Sequence, residues 1–461
     1  MAEKQGGALR SNEAGTASGL ASKTVLVDGF NLGMEKGSGI ATYARNLTYA
    51  LSAMGHNVEV LYGTNQRMGK KNLLNEIALY DAPPLNAGGG NFRRWLRRVR
   101  SPFGRIASRV TPTGEVITTQ IESRLPSATA FWAAEDLFHT ANRAFRKSRQ
   151  VTPVSFGKPW TKSEVDLAHW TTAMPLRVSN VPNLYTVHDV VPLRLPFTTL
   201  DNKRAFFALC KSIVRTADHI VTVSEASRAD IIRLFGVSPE RITNTYQAVN
   251  IPEKLLAKTN EEVAAEIEGA FDLPWKEYFL FFGAIEPKKN LGRIVEAYLS
   301  SGVRGPLVIV GGRAWLDEGE TALIQDSLVM ALSFDEGLLR RRDRIRRFEY
   351  LPFSILVSLI RGAKATLFPS LYEGFGLPIL ESMLLGTPVI SSTTAAITEV
   401  AGDAAILVDP YDSTAIRRAI SELDSDEGLR AALSLKGVQQ AAKFSEEAYR
   451  QRLASVYDRY F

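Results

Sequence analysis

Two α/β domains, each a parallel sheet flanked by helices and facing the other across a cleft, are what this sequence predicts. Three observations predict them. Short runs rich in β-branched and aromatic residues alternate with helical periodicity from end to end, the signature of βαβ units. The chain has 461 residues, more than one hydrophobic core usually holds. A proline-containing, charged stretch at 251–268 separates two such series.

The first strand is expected at 24–28, followed by a turn and a helix over 40–54, with the second strand at 58–62. Further strands at 183–187 and 219–224 each run into a helix. The second series starts at 277, with strands at 278–282, 306–310, 344–349, 365–368 and 388–391. A last strand signal lies at 404–408 and a final helix at 446–460. The organisation read from this is a flexible tail (1–22), a first Rossmann-like domain (23–255), a second Rossmann-like domain (256–440), and a C-terminal segment (441–461) expected to cross back onto the first domain. No short-period repeat is present.

Composition narrows the function classes. A hydrophobic fraction of 45% with 23% charged residues is that of an ordinary globular protein, not a disordered one. The single cysteine, Cys210, cannot form an intramolecular disulfide; among Phe206, Phe207 and Leu209 it reads as a buried thiol in a reducing compartment. The five histidines have no metal-ligand spacing. No apolar run approaches the ~20 residues of a membrane span, and the N-terminus lacks the apolar stretch of a secretory signal. The expectation is a cytoplasmic protein, peripheral on the inner membrane face at most. A net charge of +6 and a pI of 9.2 favour anionic partners, leaving nucleic acid, nucleotide and anionic lipid open.

Between residues 64 and 164 the strand signals fade. There Phe92, Trp95, Leu96 and Val99 fall on one face of a helix, with Arg93, Arg94, Arg97, Arg98 and Arg100 on the others. Two readings stand: a helix lying on an anionic membrane surface, or one docked on its own domain with a solvated basic face.

The stretch 368–383 carries the chemistry. A buried strand ends at Phe368, a glycine-rich loop follows, and a helix opens near Gly376 and Leu377 with Pro378 in its first turn. The N–H groups of Gly374, Phe375 and Gly376 therefore form an anion site. A carboxylate repels phosphate, so Glu381 in that helix suits hydroxyls instead, and a ribose diol beside a diphosphate is the natural bidentate donor. Glu373, at the loop entrance, suits the hydroxyls of a sugar.

At these residues the chain resembles the retaining glycosyltransferases of the GT-B fold, family four (group 1), with Glu373 and Glu381 as that family's paired glutamates. The wording at 188–192 and 286–290 is most similar to bacterial polysaccharide mannosyltransferases. The resemblance implies a nucleotide-sugar donor, GDP-mannose first and a UDP-hexose second, held mostly by the domain at 256–440, and a glycan or lipid-linked glycan acceptor held mostly by the domain at 23–255. It extends to three further segments. In 282–291, Gly283 ends a strand, Lys289 matches the lysine that meets the donor diphosphate, and Asn290 is expected to cap the next helix. Ala284 replaces an arginine common in the family; Lys288 is either the second cation or a solvated surface lysine. Gly37, Ser38 and Gly39 match the loop that approaches the donor phosphates from the first domain, although this triplet alone is an ordinary turn.

His188, followed by Asp189, matches the histidine over the donor sugar. Ser224 to Ser227 reads equally as a cleft-facing turn and as a helix N-cap. Tyr350 and Leu351 would border the base, with the arginines of 340–347 on a solvated face. The resemblance thus assigns His188, Lys289 and Glu373 to catalysis. Without an Asp-x-Asp at a strand end, no metal and no cofactor are expected. Two other classes remain. A nucleotide-sugar epimerase shares the fold but not the glutamate pair, and a nucleic-acid module would need more than one aromatic stripe among its arginines.

Overall fold

The computed structural model describes residues 22–33, 39–64, 69, 71–80, 105–116, 125–156, 165–312, 330–335 and 338–461. Gly37, Ser38 and the expected amphipathic helix at 92–99 lie outside them.

The first unit is one sheet, ten-stranded among the described residues, in the order β10-β9-β8-β6-β1-β2-β4-β3-β5-β7. One part of it runs from the edge strand β10 (Ile242–Asn244) through β9 (His219–Thr222), β8 (Asn183–Thr186), β6 (Leu167–Trp170) and β1 (Thr24–Asp28) to β2 (Asn57–Thr64), all parallel. Their apolar runs are buried on both faces, which a parallel sheet covered by helices requires. The strand order turns back at β1, between β2 and β6. In such sheets the crevice beyond the carboxyl ends at that point holds ligands.

The far half of this sheet has β4 (Ala130–Glu135), β3 (Arg105–Val110), β5 (Thr152–Phe156) and β7 (Leu176–Val178). It falls largely within 64–164, where the strand signals of the sequence fade. The reason is local composition. β4 reads Ala-Phe-Trp-Ala-Ala-Glu, whose alanines have little β preference, yet it pairs with β2 over six residues and is buried. β3 alternates irregularly, with Ile106, Ser108 and Arg109 exposed, and its pairing with β4 is the one antiparallel ladder of this sheet among the described residues.

The second unit is, among the described residues, a fully parallel six-stranded sheet, β15-β12-β11-β16-β17-β18. These are β11 (Phe279–Phe282), β12 (Leu307–Val310), β15 (Ile345–Phe348), β16 (Ala365–Phe368), β17 (Val389–Ser392) and β18 (Ile406–Val408). β11 lies between β12 and β16, so the loops after β11 and β16 are neighbours. An unforeseen hairpin, β13 (Met330–Asp335) and β14 (Leu338–Asp343), precedes β15 and takes up the first arginines of the basic cluster. The solvated-face reading fails for two arginines whose side chains are described. Arg344 donates to the carbonyls of Tyr298, Leu299 and Val303, and Arg346 to that of Phe271.

The last helix, Glu446–Tyr457, belongs in space to the first unit: Tyr449, Leu453, Val456 and Tyr457 are buried with Tyr43, Leu47 and Leu51 of the Gly39–Ala53 helix. Cys210 is buried, and its thiol is pushed up to about 12 by that burial.

Candidate active site

The loop after β16 is the scaffold. Gly376 adopts φ 110°, a left-handed conformation that glycine takes without strain, and so opens the Leu377–Leu384 helix with Pro378 in its first turn. Phe375 anchors the loop against Phe444 and Tyr246 at ring distances of 5.6 and 6.3 Å. Gly374 faces the other domain. A Cβ built on it would lie 2.9 Å from Cβ and Oδ2 of Asp189 and 3.1 Å from the His188 carbonyl oxygen. No side chain fits there.

The loop after β11 docks on this one. The Leu371 amide donates to the Lys288 carbonyl at 2.8 Å. Asn290 does not cap the next helix through its side chain, as the sequence suggested. Its buried amide instead donates to the carbonyls of Pro369 (2.9 Å) and Pro410 (2.7 Å), riveting the ends of β11, β16 and β18 together. A structural tie thus takes precedence over the local cap. Gly283 ends β11 with φ 125° and open space where a Cβ would point.

The charges converge between these loops. Lys289 Nζ lies 2.5 Å from Glu373 Oε1, both side chains about one-tenth exposed. Burial opposes the Glu373 charge, but Lys289 and then Lys288 outweigh it and hold the carboxyl below its usual range. Lys288 is no solvated surface lysine. Burial works against its charge, yet Glu373, Asp189 and Glu286 hold its pKa well above the ordinary value, with Glu286 at 3.6 Å. Burial raises Glu381 to about 7, with Lys289 pulling the other way.

From across the cleft comes the turn after β8. His188 Nε2 donates to the Thr171 carbonyl at 2.8 Å, which fixes the proton on Nε2 and leaves Nδ1 as an acceptor. Burial lowers its pKa, with the Thr171 bond and Asp189 opposing. Asp189 accepts from the Val191 amide at 3.0 Å. Thr171 is itself held by buried Asp28, whose carboxyl is raised to about 6, chiefly by burial. Gly39 starts its helix opposite Leu377, which would lie 3.8 Å from an added Cβ.

The structure thus brings together Gly39, His188, Gly283, Lys288, Lys289, Glu373, the Gly374–Leu377 segment and Glu381. Tyr350 and Leu351 stand apart, at the carboxyl end of edge strand β15 with β12 and β11 between them and β16; Tyr350 is 68% exposed. Sequence reading missed the ties that close the two units. Glu399 accepts from the amides of Glu225 (2.8 Å) and Ala226 (2.6 Å), at the N-terminus of the Glu225–Phe235 helix. Ser224 caps the same helix, Ser227 Oγ donates to the Gly374 carbonyl, and Tyr372 donates to Asp230 at 2.6 Å. Both readings of 224–227 therefore hold. No local pattern announces Glu399 or Tyr372, because their partners are more than a hundred residues away.

Two family models match: a glycosyl transferase 4-like domain over residues 38–245, and glycosyl transferases group 1 over 271–440. Together they span most of the chain, which belongs to the group 1 glycosyltransferase family. Among its relatives is an O-antigen chain mannosyltransferase B from Escherichia coli, 32% identical over 267 residues. That match covers 57% of this transferase and 66% of the relative, so the chain spans just under two thirds of that protein's length. Among solved structures, sucrose-phosphate synthase from Thermosynechococcus elongatus superposes with TM-score 0.62 at 18% identity, covering 95% of this chain and 98% of that one. HepE from Anabaena, in complex with UDP and glucose, gives TM-score 0.62 at 13% identity, covering 95% and 99%. These likenesses establish the GT-B fold of the transferase.

Proposed function

We propose that the transferase moves mannose from GDP-mannose, with retention of anomeric configuration, onto a glycan or lipid-linked glycan in surface polysaccharide synthesis. The observation that carries this reading is the meeting of Lys289, Glu373 and the Gly374–Gly376 amides with His188 across one cleft. The name of the O-antigen relative supports the sugar and the pathway class.

The chemistry follows from the residues. The donor diphosphate takes the place beside Lys288, Lys289 and the helix N-terminus at Gly376, where fixed positive charge meets the charge that grows on the leaving phosphate. Glu381, as carboxylate, grips the ribose diol, while Glu373 and His188 orient the sugar hydroxyls. The acceptor oxygen attacks C1 on the face the leaving group vacates. The C1–O bond to the β-phosphate breaks, the C1–O bond to the acceptor forms, and the acceptor proton passes to a β-phosphate oxygen of the departing GDP. Closure of the two units keeps water from competing. The reading calls on no metal. It places the protein at the inner membrane face, with the basic segment at 92–99 toward anionic lipid; no described helix is long and apolar enough to cross a membrane.

The test is thermal stability against GDP, UDP, ADP, GDP-mannose and UDP-glucose, with EDTA or magnesium, followed by transfer assays and NMR of the product anomer. Stabilisation by GDP compounds, unchanged in EDTA, with an α-linked product, is expected. UDP-selective stabilisation would replace mannose by a UDP-hexose. Interconversion of a free UDP-sugar without transfer would point to an epimerase, and an inverted product would overturn the mechanism.

A further inference from the structure

A chain of buried polar groups runs from the C-terminal helix to the active-site histidine. Tyr457, fully buried, bonds through its hydroxyl to Nδ1 of His169 on β6. Nε2 of the same ring is 2.8 Å from Thr186 Oγ1 at the end of β8. Thr186 Oγ1 is in turn 2.8 Å from the Tyr43 hydroxyl. The Tyr43 ring stands perpendicular to that of His188, with centroids 4.7 Å apart and an interplanar angle of 86°. A second route reaches the same histidine, because His169 lies two residues before Thr171, whose carbonyl receives His188 Nε2–H.

None of these groups changes charge near neutrality. Burial lowers His169 to about 3, with His188 and His219 adding to the effect; it raises Tyr43 to about 12 and holds Tyr457 well above its ordinary value. Tyr449, on the same face of the last helix, lies beside Tyr43 without a well-aligned hydrogen bond of its own. Burying these four polar side chains costs more desolvation than four apolar ones of similar volume would, so packing alone does not account for them. What a satisfied buried network supplies is a single arrangement, since its members cannot exchange partners with water.

We infer that Tyr43 is a positioning residue for His188, and that the C-terminal helix sets it through Tyr457, His169 and Thr186. Tyr43 sits one turn into the helix that starts at Gly39, so the network fixes the first unit's helix and its histidine in one register. The inference rests on His188 acting at the donor sugar, as proposed above.

Tyr457→Phe breaks the chain at its far end while keeping the ring, and Tyr43→Phe breaks it next to His188. With His188→Ala as reference, each is assayed with GDP-mannose, and in a parallel series with UDP-glucose, for kcat and KM. Side-chain 15N NMR follows the ring, in a chain with only five histidines. Expected for both phenylalanine variants is a fall in kcat of about tenfold, a donor KM within twofold, and shifted His188 ring signals, in keeping with the sensitivity of rate to sub-ångström misplacement. A merely structural role would lower the melting temperature and move neither kcat nor the His188 signals. That result, with His188→Ala inactive, would overturn the inference and leave the site reading intact. A fully active His188→Ala would remove the site reading and the inference with it.

Discussion

Gly374→Ala tests whether the two units must meet as closely as they do here. The added methyl would stand 2.9 Å from two atoms of Asp189 and 3.1 Å from the His188 carbonyl oxygen, where ordinary contacts need about 3.5 Å or more. The Asp189 carboxylate can swing aside, but its Cβ and the backbone carbonyl cannot. Relief therefore requires the cleft to open by about 0.5–1 Å, at an overpacking cost of ~1–3 kcal/mol. Opening by that amount moves His188 away from Lys289 and Glu373, and misplacements of this size cost up to about 100-fold in rate. The assay is kcat/KM for transfer together with the melting temperature. A large loss of activity is expected with no more than that ~1–3 kcal/mol loss of stability, since neither hydrophobic core is touched. Gly269→Ala is the control: it lies in the Asn260–Phe271 helix with nothing within 4 Å of an added Cβ. It should gain up to ~1 kcal/mol with activity unchanged. Gly374→Ala activity within twofold of the parent would refute the reasoning, because a catalytic closure this tight could not absorb the methyl.

Three further outcomes are expected. Because burial raises Glu381 to about 7, its carboxylate is lost as pH falls through 7. GDP affinity, measured calorimetrically, should be flat above about pH 7.5 and weaken toward tenfold per unit below 7; Glu381→Gln should bind ~10–100-fold more weakly with no such dependence, matching a lost charge-assisted bond of ~1.5–3 kcal/mol. A constant affinity between pH 5.5 and 8 would count against the diol assignment. Lys289→Ala leaves a buried carboxylate short of its nearest cation, so denaturant unfolding should show a loss of ~3 kcal/mol and kcat per folded molecule should drop at least ~100-fold. Glu399→Ala removes two helix-end hydrogen bonds between the units, worth ~1–2 kcal/mol with the helix dipole. The donor KM should rise about tenfold while kcat at saturation stays within twofold; an unchanged KM would mean the contact does not limit closure.

How much of this was legible beforehand follows from the range of each interaction. The second sheet could be read strand by strand because its strands are continuous apolar runs such as Phe279–Phe282 and Leu307–Val310. The Gly376 helix start was legible because glycine and Pro378 act on their own backbone. Asn290 misled for the opposite reason: an asparagine before a helix is a cap by local rule, and only the fold brings the Pro369 and Pro410 carbonyls to it. β4 was invisible, since alanines become a strand only through pairing with β2. Lys288 had two open readings because its neighbours Asp189 and Glu373 lie about a hundred residues away in either direction. Its burial decides between them.

That lysine cluster has a further consequence. Lys288 and Lys289 are already answered by Glu373, Asp189 and Glu286, so the pocket projects little field beyond a few ångströms. Long-range attraction for polyanions scales with uncompensated charge, and here it is nearly cancelled before any ligand arrives. Orthophosphate, sulfate and loose nucleotide triphosphates, abundant and highly charged, should therefore find little reason to linger. A donor must instead exchange, at contact distance, one set of oxygen partners for another, and only a molecule that fits the loops, the diol site and the facing histidine together can complete the exchange. Such binding should vary little with ionic strength, unlike that of a site made of bare cations.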